Sequence, residues 1–168
     1  MSNEDDKLDF KIQYGSQKTH LKLANHEDPD IRKAVAEHGD DTVRTKMLHD
    51  KSVGVRHVIA KHGNDQHRDH LMHDKSEMVK ANVAWYGNKK HHSHLMHDTS
   101  DYVRRTVAER GGEEHYDHLM HDESHKVREV VAIKGSKVHT KHLMNDENPH
   151  VSFLASHRYA KHHADRDE

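Results

Sequence analysis

The chain has 168 residues, enough for a continuous core, yet only 32% are hydrophobic and 5% aromatic while 33% are charged. That is poor material for one deep globular core, and a thin layer of stacked short helices suits it better. It has no cysteine, which excludes a disulfide framework, a thiolate zinc site and cysteine-ligated iron–sulfur clusters. Its 27 lysines and arginines against 29 aspartates and glutamates give no net-charge argument for nucleic acid, so the unusual feature is the 23 histidines.

The first residues, MSNEDDKLDF, lack a basic segment followed by an apolar run, so no secretory signal is read there. Residues 1–7 are expected to form a disordered acidic tail. No apolar stretch is long enough to cross a bilayer, and the chain reads as cytoplasmic with no membrane partner.

From residue 8 to residue 162 the sequence reads as one domain built on a 24-residue period. KMLHD at 46–50 is followed by HLMHD at 70–74, 94–98 and 118–122 and by HLMND at 142–146, the signature of a stacked repeat. Asp28, Ser52, Ser76, Ser100, Ser124 and Asn148 share one column, and all are residue types that cap helix N-termini. The two prolines, Pro29 and Pro149, occupy the next column, where the first helical position tolerates a missing N–H. Helix A of each repeat therefore starts there. Its core stripe runs through Val55, Ile59 and Ala60 and their equivalents at spacing i, i+4, i+5. Gly15, Gly39, Gly63, Gly87, Gly111 and Gly135 are expected to end helix A in the left-handed conformation. A second helix, B, then begins at once, with Leu71, Leu95, Leu119 and Leu143 facing inward. Residues 163–168 read as a polar tail.

The pattern D-x-S-x-x-V-R-x-x-V-A, present as DKSVGVRHVIA at 50–60, DTSDYVRRTVA at 98–108 and DESHKVREVVA at 122–132, resembles HEAT-like repeats. Its short period is nearer to the leucine-rich-repeat variant family. The resemblance implies an all-α, right-handed α-solenoid of about six two-helix repeats. It also implies a structural ladder of aspartate and arginine six residues apart, matched here by Asp50/Arg56, Asp74/Lys80, Asp98/Arg104 and Asp122/Arg128 and broken at Asp146/Ser152. The same basic column, with Arg32, could instead form a phosphate-binding stripe, but the matched spacing favours the ladder.

Helix B carries H-x-x-H-L-M-[H/N]-D four times. The spacing places His67, His70 and Asp74 on one face, with His91, His94 and Asp98, then His115, His118 and Asp122, then His139, His142 and Asp146 as equivalents. Such donors suit zinc, nickel or copper; the competing reading is a tolerated amphipathic edge with each aspartate engaged in the ladder. No other cofactor motif is present. Protonation of the histidines near ~6.5 would bring the net charge to about +19 at pH 5.5, so acid is expected to strain the stack.

Columns that vary between repeats are free for recognition. Met78, Ala81 and Trp85 on helix A are spaced i, i+3, i+7, with Tyr102, Arg105 and Glu109 as their counterparts one repeat on, and Ile133 and Phe153 would extend the patch. By resemblance to HEAT-like solenoids this helix lines the concave side. Aromatic, methionine and arginine side chains are those enriched at binding hot spots. There is no phosphate loop, nucleophile elbow or HExxH. The function expected is a non-enzymatic scaffold for a protein partner, with nucleic-acid binding on a basic concave surface and metal binding by helix B as alternatives.

Overall fold

The computed structural model describes residues 3–164, and these form thirteen α-helices and one 3-10 turn with no strand. Helices of type A are α1 (Asn3–Tyr14), α3 (Pro29–His38), α5 (Val53–His62), α7 (Glu77–Tyr86), α9 (Asp101–Arg110), α11 (His125–Lys134) and α13 (Pro149–Ala164). Helices of type B are α2 (Gln17–Leu23), α4 (Asp41–Met47), α6 (Asp65–Leu71), α8 (Lys89–Leu95), α10 (Tyr116–Leu119) and α12 (Lys137–Leu143). From α3 onward each A helix starts 24 residues after the last, so the sequence period is the structural period. The fold is a helical-repeat solenoid.

Both expected tails are shorter than the sequence suggested. Helix α1 already begins at Asn3, because buried Ile12 anchors it and a charged, solvated face does not oppose a helix. Helix α13 continues to Ala164, since Tyr159 stands where earlier repeats have glycine. The remainder of that tail, 165–168, lies outside the described residues, as do residues 1 and 2.

The chain divides into two compact units, Met1–Gly87 and Asn88–Glu168. In the first, α1 packs on α3, α3 on α5 and α5 on α7, while α4 and α6 join each A helix to the next. Val35, Ala36, Val55, Ile59, Ala60, Val79, Val83 and Ala84 lose all contact with solvent. In the second, α9 packs on α11 and α11 on α13, with α12 wedged against α13, around Val103, Val107, Ala108, Val127, Val131, Ala132, Val151 and Ala155. Each such valine contributes ~1.5–3 kcal/mol by leaving water. Helices of seven to ten residues are marginal alone, so this stacking is what makes them helices. Alanine recurs where A helices approach, because a larger side chain would hold the backbones apart.

Two local expectations are corrected. The serines that open α5, α9 and α11 do not cap through their hydroxyls. Instead each gives its backbone N–H to the aspartate two residues earlier, at 2.8 Å for Ser52 to Asp50, 2.9 Å for Ser100 to Asp98 and 2.8 Å for Ser124 to Asp122. Pro29 does occupy the first turn of α3, behind an Asp28 that accepts from the Asp30 amide.

The glycines that end the A helices are not left-handed either. Gly63 has φ −73° and ψ 173°, ordinary extended backbone, and among the described residues Gly112 alone has positive φ. What excludes a side chain at Gly63 is space: a Cβ there would lie 2.6 Å from the Ile59 carbonyl and 2.7 Å from His67 Nδ1. Helix B can follow helix A without a loop only because nothing projects at that corner.

Gly63→Ala is accordingly expected to lower stability by about 1–3 kcal/mol through overpacking. Gly54→Ala, where a Cβ meets nothing nearer than 3.5 Å inside α5, is expected to raise it by ~0.5–1 kcal/mol through helix propensity. Urea unfolding of the two variants checks the contrast; equal effects would contradict the steric account.

Candidate functional site

The arginine column is buried and fully engaged. Arg56, 5% exposed, holds both carboxylate oxygens of Asp74, with Nε at 2.6 Å and Nη2 at 3.0 Å. Its Nη1 donates to the carbonyls of Asp50 and Lys51. Arg32 repeats this with Asp50, and in the second unit Arg104 with Asp122 and Arg128 with Asp146. The carboxylate thus comes from eighteen residues ahead, in the next repeat. The aspartate six residues before contributes its backbone carbonyl. Ser152 therefore leaves no gap at the last step: Asp146 is held by Arg128, and Ser152 Oγ donates to the Met144 carbonyl. Lys80, the lysine of the column, is half-buried.

A planar fork matched to a carboxylate explains why arginine is used. Burial pushes the Asp74 carboxyl up, but the Arg56 guanidinium and the Ser76 amide outweigh it and hold the group below the usual carboxylate range. Asp50 and Asp146 behave likewise. With its donors spent on protein oxygens, this column is not available as a phosphate-binding stripe.

Two classes stand out among the histidines of helix B. His67, His91, His115 and His139 are buried. His67 Nδ1 accepts the backbone N–H of Asn64 at 3.0 Å while Asn64 Oδ1 accepts that of His67, a capping box in which a ring nitrogen replaces the usual carboxylate. Its other nitrogen, Nε2, is shared between Thr45 Oγ1 at 2.9 Å and the Asp41 carbonyl at 3.2 Å in the preceding repeat. His91 and His139 form the same box with Asn88 and Ser136. In the repeat with Gly111 and Gly112 the box is lost. Gly112, at φ 84°, offers no side chain, helix B opens with a 3-10 turn, Glu113–His115, and buried His115 Nδ1 has no partner among the described residues.

His70, His118 and His142 form the second class. They are exposed and meet the ring of a histidine in the turn before: His49 with His70, His97 with His118, His121 with His142. The expected ligand sets are therefore not gathered. His67, His91, His115 and His139 face inward, His70, His118 and His142 face outward, and Asp74, Asp122 and Asp146 are held by arginine. His94 is exposed and Asp98, half-buried, accepts from the Ser100 amide. Among the described residues no three histidine or carboxylate groups come together to hold a metal ion.

One structural column was missed from the sequence. His20, Arg44, Arg68 and Tyr116, at the same repeat position, all donate to the carbonyl eight residues earlier, those of Ile12, Ala36, Ala60 and Ala108. They satisfy the C-terminal end of helix A. Histidine, arginine and tyrosine share only the capacity to donate, which residue-type alignment does not reveal. The buried histidines did leave a signal: their column contains Val43, which is fully buried.

On the exposed face of helix A the expected residues separate again. In the first unit Met78 and Trp85 are exposed, but Ala81 between them is 5% exposed. It cannot touch a partner, because a one-carbon side chain does not reach past its longer neighbours. In the second unit Tyr102 is exposed, while Arg105 and Glu109 pair along α9 at 3.1 Å. Ile133 and Phe153 are exposed, the latter at 67%. They line a recess of about 200 Å³ with Leu154, His157, Arg158 and Lys161. Arg158 Nε is buried and has no hydrogen-bond partner among the described residues.

Two outcomes are expected. Arg56→Ala leaves Asp74 buried and unpaired and should cost about 3–5 kcal/mol, with Arg56→Lys recovering a part only; denaturant titration reads both. Acid should also destabilise. Burial, acting against the neighbouring Asp41 charge, lowers the pKa of His67, and a proton on Nδ1 would oppose the Asn64 amide. Stability from this source is full above the ordinary histidine value of ~6.5 and falls below it, because the unfolded chain takes a proton that folded His67 refuses. The melting temperature should be lower at pH 5.5 than at pH 8, and equal values would contradict this reading.

No protein-family model matches the chain, and no curated protein matches it. Among solved structures it is similar to one described as a leucine-rich repeat variant with a novel repetitive protein structural motif. The TM-score is 0.79 at 20% identity, covering 92% of this chain and 66% of that one. The chain thus spans about two thirds of the structure it matches. Among the described residues no helix is long and apolar enough to cross a membrane. The likeness is one of fold, and by it the chain has the helical-repeat fold of a leucine-rich repeat variant.

Proposed function

We propose that the chain is a non-enzymatic scaffold that binds a protein partner through exposed side chains on its A helices. A repeat fold presents side chains at fixed intervals on a surface set by buried columns, a geometry suited to gripping an extended partner. The observation that carries this reading is the exposure of large apolar residues on A helices: Met78 and Trp85 in the first unit, Tyr102, Ile133 and Phe153 in the second. A folded chain that buries valine completely gains nothing of its own by leaving Phe153 in water.

The recess between α11 and α13 indicates the chemistry of the partner. Ile133, Phe153 and Leu154 supply apolar walls, while His157, Arg158 and Lys161 supply cations. An acidic segment carrying one apolar anchor fits both, its carboxylate lying beside these cations. Nucleic acid is the weaker reading, since the arginine column that motivated it is turned to carboxylates and carbonyls. The buried histidines and aspartates serve caps and ladder, which supports a non-enzymatic role.

Phe153→Ala and Arg158→Ala should each weaken a captured protein partner by about 30-fold or more, the hot-spot range of at least ~2 kcal/mol. Trp85→Ala and Tyr102→Ala report on the other exposed positions. Pulldown from native lysate at neutral pH, followed by titration with the purified partner, measures this. Undiminished binding by all four correctly folded variants would remove the proposal, and binding of duplex or single-stranded nucleic acid with a steep salt dependence would favour the alternative.

A further inference from the structure

The exposed histidines of helix B pair across successive repeats with one recurring geometry. His49 and His70 have ring centres 4.5 Å apart and planes at 89°. His97 and His118 lie at 4.4 Å and 67°, and His121 and His142 at 4.6 Å and 74°. In every pair the first histidine follows one helix B and the second lies near the C-terminal end of the next, so the ladder that fixes the repeats also fixes their separation.

That separation is within the range of an edge-to-face ring contact, and it also matches two imidazoles held at adjacent positions on a single metal ion. A metal–nitrogen bond of ~2.0–2.1 Å with a ring centre about 1.1 Å beyond the nitrogen puts each centre ~3.2 Å from the metal. Two such rings whose bonds to the metal meet at 90° then have centres about 4.5 Å apart, whatever the angle between their planes. Right-angled neighbours belong to tetragonal coordination, the preference of copper(II) and nickel(II), whereas tetrahedral zinc would set the rings at about 5.2 Å. We propose that His49 with His70, His97 with His118, and His121 with His142 are two-imidazole sites for copper(II) or nickel(II), completed by water.

All six rings are exposed, so each can turn about its outer side-chain torsion to aim a nitrogen at the ion without disturbing the core. The first pair borders a recess of about 540 Å³ that also meets Lys51, Arg56, Lys75, Asp50 and Asp74. Both carboxylates are committed to arginine and stay out of the coordination sphere. The sites differ from the H-x-x-H-x-x-x-D sets read along a single helix, because each donor pair joins two repeats and uses no carboxylate.

The test uses untagged full chain at pH 7.5 and copper(II) alone. His70→Ala, His118→Ala and His142→Ala combined should bind three fewer copper equivalents than wild type by calorimetry, with helical content unchanged. His125→Ala, which removes an exposed histidine outside these pairs, should lose none. Electron paramagnetic resonance of copper added below saturation should show two imidazole nitrogens per ion. Unchanged stoichiometry in the triple variant, a single coupled nitrogen in the wild type, or equal losses in the His125 control would each overturn the assignment and leave adventitious surface binding.

Discussion

The interaction on which the repeat depends is the buried arginine that grips the next repeat's aspartate with two parallel hydrogen bonds. Hydrophobic burial supplies most of the stabilisation, but valine and alanine columns alone would tolerate sliding by a fraction of a helical turn. A fork matched to a carboxylate does not. Arg56 also collects the Asp50 and Lys51 carbonyls, and Asp74 collects the Ser76 amide. One contact therefore ties the end of one helix B, the start of the following helix A and the neighbouring repeat. Such a buried pair contributes little net energy against an apolar substitute; its effect is to fix register.

Fixed register accounts for the other recurring features. The 2.6 Å that separates a hypothetical Gly63 Cβ from the Ile59 carbonyl matters only because helix B must turn back immediately onto helix A. The same corner demands a donor for the last carbonyls of helix A, met by histidine, arginine or tyrosine in different repeats. It also demands an acceptor at the start of helix B, met by a histidine ring. Where Gly112 removes the cap, the helix loosens into a 3-10 turn, which shows how much of a seven-residue helix rests on its first turn.

The abundance of histidine, which composition alone presents as one anomaly, has two unrelated origins. The buried set accepts and donates hydrogen bonds at the ends of the short helices, and six of the exposed histidines face solvent in pairs. A histidine at the third position of a short helix serves where glutamate would ordinarily sit, with the difference that it can be buried without carrying charge. The exposed apolar residues of the A helices stand apart from both sets, because no column of the stack requires them.

The sequence by itself determined the period, the two-helix repeat, the starts of the A helices and the buried valine, alanine and leucine columns. These follow from residue type at fixed spacing, and a stacked repeat writes the same requirement many times. Tertiary structure decided what depends on direction across repeats: that Arg56 reaches forward to Asp74 and not back to the Asp50 carboxylate, that His67 points inward while His70 points outward, and that Ala81 lies beneath its neighbours. Two side chains three residues apart share a helical face only approximately, and whether that face is covered is set by the next repeat. The glycines carry the same lesson, since a residue name records the absence of a Cβ but not whether conformation or space forbids one.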